Sequence, residues 1–289
     1  MPEGPEVKRF ADDLSKLLVG KKIINMFPCK TGRYAVNPPV GFDAFIADMP
    51  AMGSCIVNDV QTKGKFMWWT LTFTDPGHMF KTKKWYLWIT HGMYAQWTHE
   101  KTTHAAFSIF YDASRSTDSL DCMYFNDKRH YGTLKFSSDV NELEKKLDSL
   151  GPDMLSYPPS FAEFSACLML RSKKTIAEAL MDQSVISGVG NYVKAESLYV
   201  AGISPHRIVG SLSVEEVELL RLAIIDVMKA SYESGGWPIN AYKGDGKPAE
   251  GWQSRFAVYG NKHDPLGNEV ITETTKDKRV THWCPTVQT

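Results

Sequence analysis

A chain of 289 residues, 43% hydrophobic and 23% charged, is long enough for two cores and excludes a disordered or fibrous protein. Its 33 basic and 33 acidic residues cancel, which argues weakly against a nucleic-acid partner, although local basic clusters count for more than the sum. No apolar run is of membrane-spanning length, no signal-peptide core opens the chain, and five scattered cysteines never fall as C-x-x-C, so the expectation is an intracellular protein without disulfides and away from membranes.

Val7, Phe10, Ala11, Leu14, Leu17 and Leu18 share one helical face, so a helix is predicted over residues 4–18, stopped by Gly20. Strands are predicted at Ser54–Val60, Lys65–Phe73, Trp85–His91, Ala105–Tyr111, Asp121–Asn126 and Tyr131–Phe136, where β-branched and aromatic residues run between turn signals. That spacing suggests a sandwich or flattened barrel over residues 1–139. Residues 140–159 read as a polar helix and a linker broken by Gly151-Pro152 and Tyr157-Pro158-Pro159. Helical patterns follow at 160–170, 174–183, 191–200 and 213–233, within a second domain over residues 160–251. Residues 252–289 close the chain, with short strands expected near 253–259 and 278–284 as a hairpin. The fold class is therefore α+β.

Three motifs carry chemistry. In Met1-Pro2-Glu3-Gly4-Pro5-Glu6, removal of Met1 leaves Pro2 as a secondary amine. An α-amino group titrates near ~8 against ~10.4 for lysine, so it is the better nucleophile at neutral pH. Attack of that amine on a sugar C1′ gives an iminium that acidifies the C2′ proton and drives strand elimination. Glu3 is then placed to protonate the sugar ring oxygen, with Glu6 one turn further on. The same hexapeptide also suits an ordinary helix start with acids facing the dipole.

In Ile186-Ser187-Gly188-Val189-Gly190-Asn191, Gly188 and Gly190 allow backbone amides to approach a phosphate at the start of the next helix. Gly188 as a C-cap and Asn191 as an N-cap would explain the residues equally well. Asn126-Asp127-Lys128-Arg129-His130-Tyr131-Gly132 is a basic turn ending in an aromatic ring. A cation and a ring are what a protein needs to replace an extruded base, though a solvated hairpin turn has the same composition. Met93 could add an apolar wedge or could be core.

Taken together, these motifs resemble the formamidopyrimidine-DNA glycosylase / endonuclease VIII (Fpg/Nei) family across nearly the whole chain. Gly4 resembles the endonuclease VIII branch; the Fpg branch carries leucine there. Lys65, in Lys63-Gly64-Lys65, resembles the family's phosphate-contacting hairpin lysine, while Met93, Arg129 and Tyr131 match its void-filling positions. Leu150-Gly151-Pro152-Asp153 and the stretch from Leu180 to Leu198 match its helix–two-turn–helix module, with Asn191 a phosphate ligand.

The family's finger usually carries two C-x-x-C pairs. Here Asn261-Lys262-His263-Asp264 and Cys284-Pro285-Thr286-Val287 stand instead, with Arg279 at the DNA-contacting position. The resemblance is therefore to a zincless finger, with no cofactor. His263, His282 and Cys284 fall one short of zinc's usual four ligands.

What the resemblance implies is a monomeric bifunctional DNA glycosylase/AP lyase of base-excision repair. It would bind double-stranded DNA bearing oxidised bases or abasic sites in a cleft between two domains, with Pro2, Glu3, Glu6 and Lys65 catalytic. Gly4 and the finger favour oxidised pyrimidines and hydantoins. Asp245-Gly246-Lys247-Pro248, within Tyr242–Pro248, resembles the Fpg loop that caps 8-oxoguanine and points the other way. A non-catalytic damaged-DNA binder on the same scaffold is the alternative.

Overall fold

The computed structural model describes residues 2–52, 54–74, 82–112, 120–235 and 256–289. The chain divides into two compact units, one of Met1–Pro2 with Phe10–Leu147 and one of Glu3–Arg9 with Asp148–Thr289. Helix α1 (Gly4–Leu18) contributes to both. Its inward stripe of Val7, Ala11, Leu14 and Leu18 is buried, as the spacing requires.

In the first unit, β1 (Lys22–Pro28), β2 (Ser54–Lys63), β3 (Phe66–Thr74), β4 (Thr82–Thr90), β5 (Gln96–Thr98), β6 (Ala105–Asp112), β7 (Leu120–Asn126) and β8 (Thr133–Ser137) form one antiparallel sheet. Its order is β5-β7-β6-β1-β2-β3-β4-β8. Strands far apart in that order meet face to face: Trp69 on β3 lies 5.3 Å from Trp97 on β5, and Phe107 on β6 lies 6.0 Å from Phe136 on β8. The sheet thus folds over itself as a sandwich rather than closing as a barrel.

Three elements there escaped the sequence reading: β1, the three-residue β5 and α2. Strand β1 sits between β6 and β2 and turns only Ile23 and Met26 fully inward. Helix α2 (Phe42–Met52) does carry a helical signal in Phe42, Phe45, Ile46 and Met49, but it is short and contains Pro50, which reads as a breaker. Phe45 fills the sandwich, packing against Phe73, Trp85 and Phe136. The polar helix α3 (Val140–Asp148) follows β8.

His91, just past β4, is 3% exposed, and neither ring nitrogen has a hydrogen-bond partner among the described residues. It packs between Phe10 and Phe125, at 5.2 and 6.5 Å. Burial pulls its pKa from 6.5 down to about 4, so it is neutral when folded. As pH falls from 6.5 towards 4, the unfolded chain binds a proton that the folded one refuses, and folding stability drops by about 3 kcal/mol. His91→Phe should fold and lose this acid sensitivity in urea titrations at pH 7 and pH 4.5. An unchanged pH dependence would rule out His91 as its source.

The second unit is helical: α4 (Phe161–Met169), α5 (Ile176–Met181), α6 (Asn191–Val200) and α7 (Val214–Glu233). Ser160/Glu163, Thr175/Glu178 and Ser213/Glu216 are reciprocal capping boxes that fix where α4, α5 and α7 begin. Seven consecutive residues of α6, Tyr192 to Leu198, are buried, marking it as the unit's central helix.

A hairpin of β9 (Ile271–Thr274) and β10 (Val280–Trp283) closes the chain. This corrects the expected hairpin: the partner of the last strand is β9, not 253–259. Residues 253–255 lie outside the described residues. The amides of Ala257, Val258 and Tyr259 donate to the Glu196 carboxylate at 2.8, 3.0 and 2.7 Å, so they are engaged by a side chain rather than a neighbouring strand. Burial raises the pKa of Glu196, and these three donors oppose that rise.

Candidate active site and nucleic-acid interface

Pro2 is buried two residues before α1. Glu3 and Glu6 are 3% and 2% exposed, and buried carboxylates need donors. The Glu3 backbone N–H donates to Glu6 Oε2 at 2.7 Å, the reciprocal half of a capping box. Glu6 Oε1 accepts from the Tyr192 hydroxyl at 2.9 Å, which also bonds Ser231 Oγ at 2.9 Å. Burial, then the charges of Glu6 and Glu3, hold the Tyr192 phenol well above its usual pKa, so it remains a protonated donor.

The Glu3 side chain reaches the first turn of α6, where Oε1 accepts from the Tyr192 N–H at 3.0 Å and Oε2 from the Val193 N–H at 3.2 Å. Three backbone amides of this turn and of the first turn of α6 are therefore engaged within the protein. The positive end of α6 already holds a carboxylate, and the Gly188 N–H is taken by Gln183 Oε1 at 3.0 Å. Gly190 is small to make room for Glu3, because a Cβ there would lie 2.1 Å from Glu3 Cδ. Gly4 is less constrained: its N–H donates to Gly188 O at 2.9 Å, and a Cβ would meet the movable end of the Met228 side chain at 2.5 Å and the Gly188 backbone at 3.1 Å. Helix α5 ends with Asp182 as its C-cap, so Gly188 caps nothing.

Asn191 is the first residue of α6 rather than its cap, which is Gly190. Asn191 Nδ2 donates to the Val280 carbonyl at 2.7 Å, beside Arg279. Arg279 stands exposed in the turn between β9 and β10. Asn191 therefore anchors the backbone next to Arg279, 88 positions away in the sequence as numbered.

The void-filling candidates meet within the first unit. Met93 lies in the turn after β4, while Arg129 and Tyr131 lie between β7 and β8. Arg129 Nη1 contacts Met93 Sδ at 3.2 Å, and its guanidinium lies 5.1 Å from the Tyr94 ring centroid. Tyr131 precedes β8 instead of starting it and is 59% exposed. Buried Asp127 shapes this turn, accepting from the Gly132 N–H at 2.7 Å and the Arg129 N–H at 3.3 Å. Arg33 supports it from outside by donating to the His130 carbonyl at 3.1 Å. Lys65 is half-buried in the turn joining β2 to β3 and does not begin β3.

In the finger, Asn261-Lys262-His263-Asp264 forms a loop around Asp264. That carboxylate accepts from the Leu266 and Asn268 amides at 2.9 and 2.8 Å and from the Tyr199 hydroxyl at 3.1 Å. Cys284 is fully buried against Ala195, Val258 and Val270. His282 packs on Tyr259 at 5.0 Å, and burial followed by the Lys194 charge lowers its pKa. Among the described residues no three His, Cys, Asp or Glu side chains are grouped to hold a metal, and no helix is long and apolar enough to cross a membrane. The Tyr242–Pro248 loop lies outside the described residues.

Sequence reasoning missed Tyr192, Gln183, Lys194, Glu196 and Asp277. Lys194 and Glu196 are charged residues of a helix buried over seven consecutive positions, which burial alone reveals. Tyr192, Gln183 and Asp277 carried no signal.

Comparison with known proteins places these features in one class. The formamidopyrimidine-DNA glycosylase N-terminal domain matches residues 1–134, its H2TH domain residues 150–242 and its C-terminal domain residues 252–289. The formamidopyrimidine-DNA glycosylase of Geobacillus kaustophilus is 30% identical over 298 residues, covering 100% of both chains. That of Listeria innocua is 28% identical over 295 residues, again covering 100% of both. Among solved structures, the MutM (Fpg) protein from Thermus thermophilus has a TM-score of 0.76 at 27% identity, over 99% of this chain and 98% of that one. A complex of Lactococcus lactis Fpg with DNA containing an abasic site has a TM-score of 0.77 at 22% identity, over 99% of each, a likeness of fold. The chain belongs to the formamidopyrimidine-DNA glycosylase family.

Proposed function

We propose that the chain is a bifunctional DNA glycosylase/AP lyase of base-excision repair, acting on duplex DNA and chiefly on oxidised pyrimidines and hydantoins. The observation that carries this reading is the buried Glu3 carboxylate, held by two α6 amides next to Pro2 in the sequence. In the proposed reaction the Pro2 nitrogen bonds to C1′, the base leaves as its glycosidic bond breaks, and Glu3 protonates the ring oxygen as the sugar opens. Loss of a C2′ proton expels the 3′ phosphate, and a second elimination expels the 5′ phosphate. Hydrolysis of the sugar remnant then restores the amine. Glu6 acts through Glu3 and Tyr192 as a positioning residue.

Lys65, Asn191 and Arg279 take phosphates, with Gly188 and Gly190 shaping the turn beside them. Met93, Arg129 and Tyr131 fill the gap left by the extruded base, offsetting an extrusion cost of a few kcal/mol. The finger works without zinc, its loop organised by the Asp264 carboxylate. The lesion preference rests on Gly4 and on physics: non-planar bases stack poorly and cost less to flip. Single-turnover excision of thymine glycol, a hydantoin and 8-oxoguanine, each opposite its natural partner, tests it. Fastest removal of 8-oxoguanine opposite cytosine would overturn the preference, and no excision of any of them would overturn the activity.

A further inference from the structure

We propose that Lys194 is the positioning residue of the hairpin turn, its buried ammonium locking the backbone on both sides of Arg279. The inference rests on the reading of Arg279 as the phosphate-facing residue of the finger. A fully buried lysine is rare unless paired. Here the Lys194 side chain is 0% exposed and that of its partner Asp277 2%, with Nζ 2.6 Å from Asp277 Oδ2. A second Nζ hydrogen goes to Thr281 Oγ1 at 2.8 Å, which in turn lies 2.6 Å from Thr275 Oγ1.

These groups close around one residue. The other oxygen of Asp277 accepts from the Arg279 N–H at 3.2 Å, and the Arg279 carbonyl accepts from the Thr275 N–H at 3.1 Å. The next carbonyl, of Val280, accepts from Asn191 Nδ2 at 2.7 Å. Asn191 and Lys194 are three residues apart on α6 and so share a face. Between Asp277 and Arg279, Lys278 is held at a φ of +61°, a left-handed conformation that a side chain adopts only where its surroundings impose it.

Burial lowers the Lys194 pKa and the pairing with Asp277 opposes the fall. Two charges out of water keep their positions only while both are present. The pair is thus a fixed internal staple between α6 and the hairpin turn. It leaves Arg279 exposed on a backbone whose N–H and carbonyl are both held. The first turn of α6 also carries Glu3, so the catalytic carboxylate and the arginine turn are built on one rigid segment.

The test uses the full chain and two readouts. Amide hydrogen exchange without DNA reports the turn itself. Lys194→Met should speed exchange at Thr275 and Arg279 at least about tenfold, as expected for the loss of a charge-assisted anchor. Binding to a duplex carrying a stable abasic-site analogue, over a range of salt, reports the consequence. Lys194→Met should weaken binding about tenfold and flatten the log Kd against log salt slope by about 0.9, the loss of one phosphate contact. Arg279→Ala should then cost little more in that background. Unchanged exchange, or a full Arg279→Ala cost on top of Lys194→Met, overturns the proposal. Should Lys194→Met fail to fold, Asp277→Asn, which keeps the shape but removes the charge pair, is judged by the same results. A wild-type chain that does not bind the duplex refutes the reading of Arg279 as a DNA contact, while exchange still decides what Lys194 does.

Discussion

Borohydride added to the protein with abasic-site DNA should trap a covalent complex that survives a denaturing gel, and one extra residue ahead of Pro2 should abolish it. An imine forms only with an uncharged amine, and an α-amino group near pKa ~8 supplies far more of that form at pH 7 than lysine at ~10.4. An added residue turns the Pro2 nitrogen into a tertiary amide, which has neither a proton to lose nor a lone pair to give. Pro2→Gly keeps an amine at the same place in the chain, so trapping should weaken rather than vanish. Lysine is the competing source of an imine. Lys194 is a poor one, because its ammonium is buried and bound to Asp277. If the extended protein still traps DNA as fully as the native one, an internal lysine is the nucleophile and the proposed mechanism is wrong.

Replacing Glu3 with Gln should lower base excision by about 10²–10⁴-fold, the range a positioned acid contributes. Cleavage at a preformed abasic site should fall much less, since no base has to be expelled there. The geometry makes the variant separable from simple unfolding. The Glu3 carboxylate accepts from both the Tyr192 and Val193 amides. A carboxamide offers one oxygen and turns an NH2 towards the other donor, a loss of about 1–3 kcal/mol. A thermal melt therefore measures the structural cost alone, and the ratio of the two activities measures the chemistry. Equal loss on both substrates, at a stability that still leaves the protein folded, would remove Glu3 as the acid that helps the base leave. Gly190→Ala offers a harsher control. Its Cβ would fall 2.1 Å from Glu3 Cδ, displacing the carboxylate without changing its charge.

Much of this molecule was legible one segment at a time. The α1 stripe, the six strong strands and the four helices of the second unit follow from periodicity and breakers, because burial on one face is a property of a single segment. Pro2-Glu3, the Asn126–Gly132 turn and the glycine turn before Asn191 could be named from residue types alone.

Tertiary structure decided where hydrogen-bonding groups find their partners. The chain around Asn191 suits any anion, and only the fold shows that the Tyr192 amide meets the Glu3 carboxylate, delivered from 189 positions away in the numbering. Residues 256–259 have strand-like composition, yet their amides go to Glu196. Strand β9 is exposed and short, and its pairing with β10 makes it a strand. Lys194 and Asp277 carry no motif, and their meaning comes from being buried together. A buried donor or charge must find a partner somewhere, and local spacing sets the demand without saying which distant residue meets it.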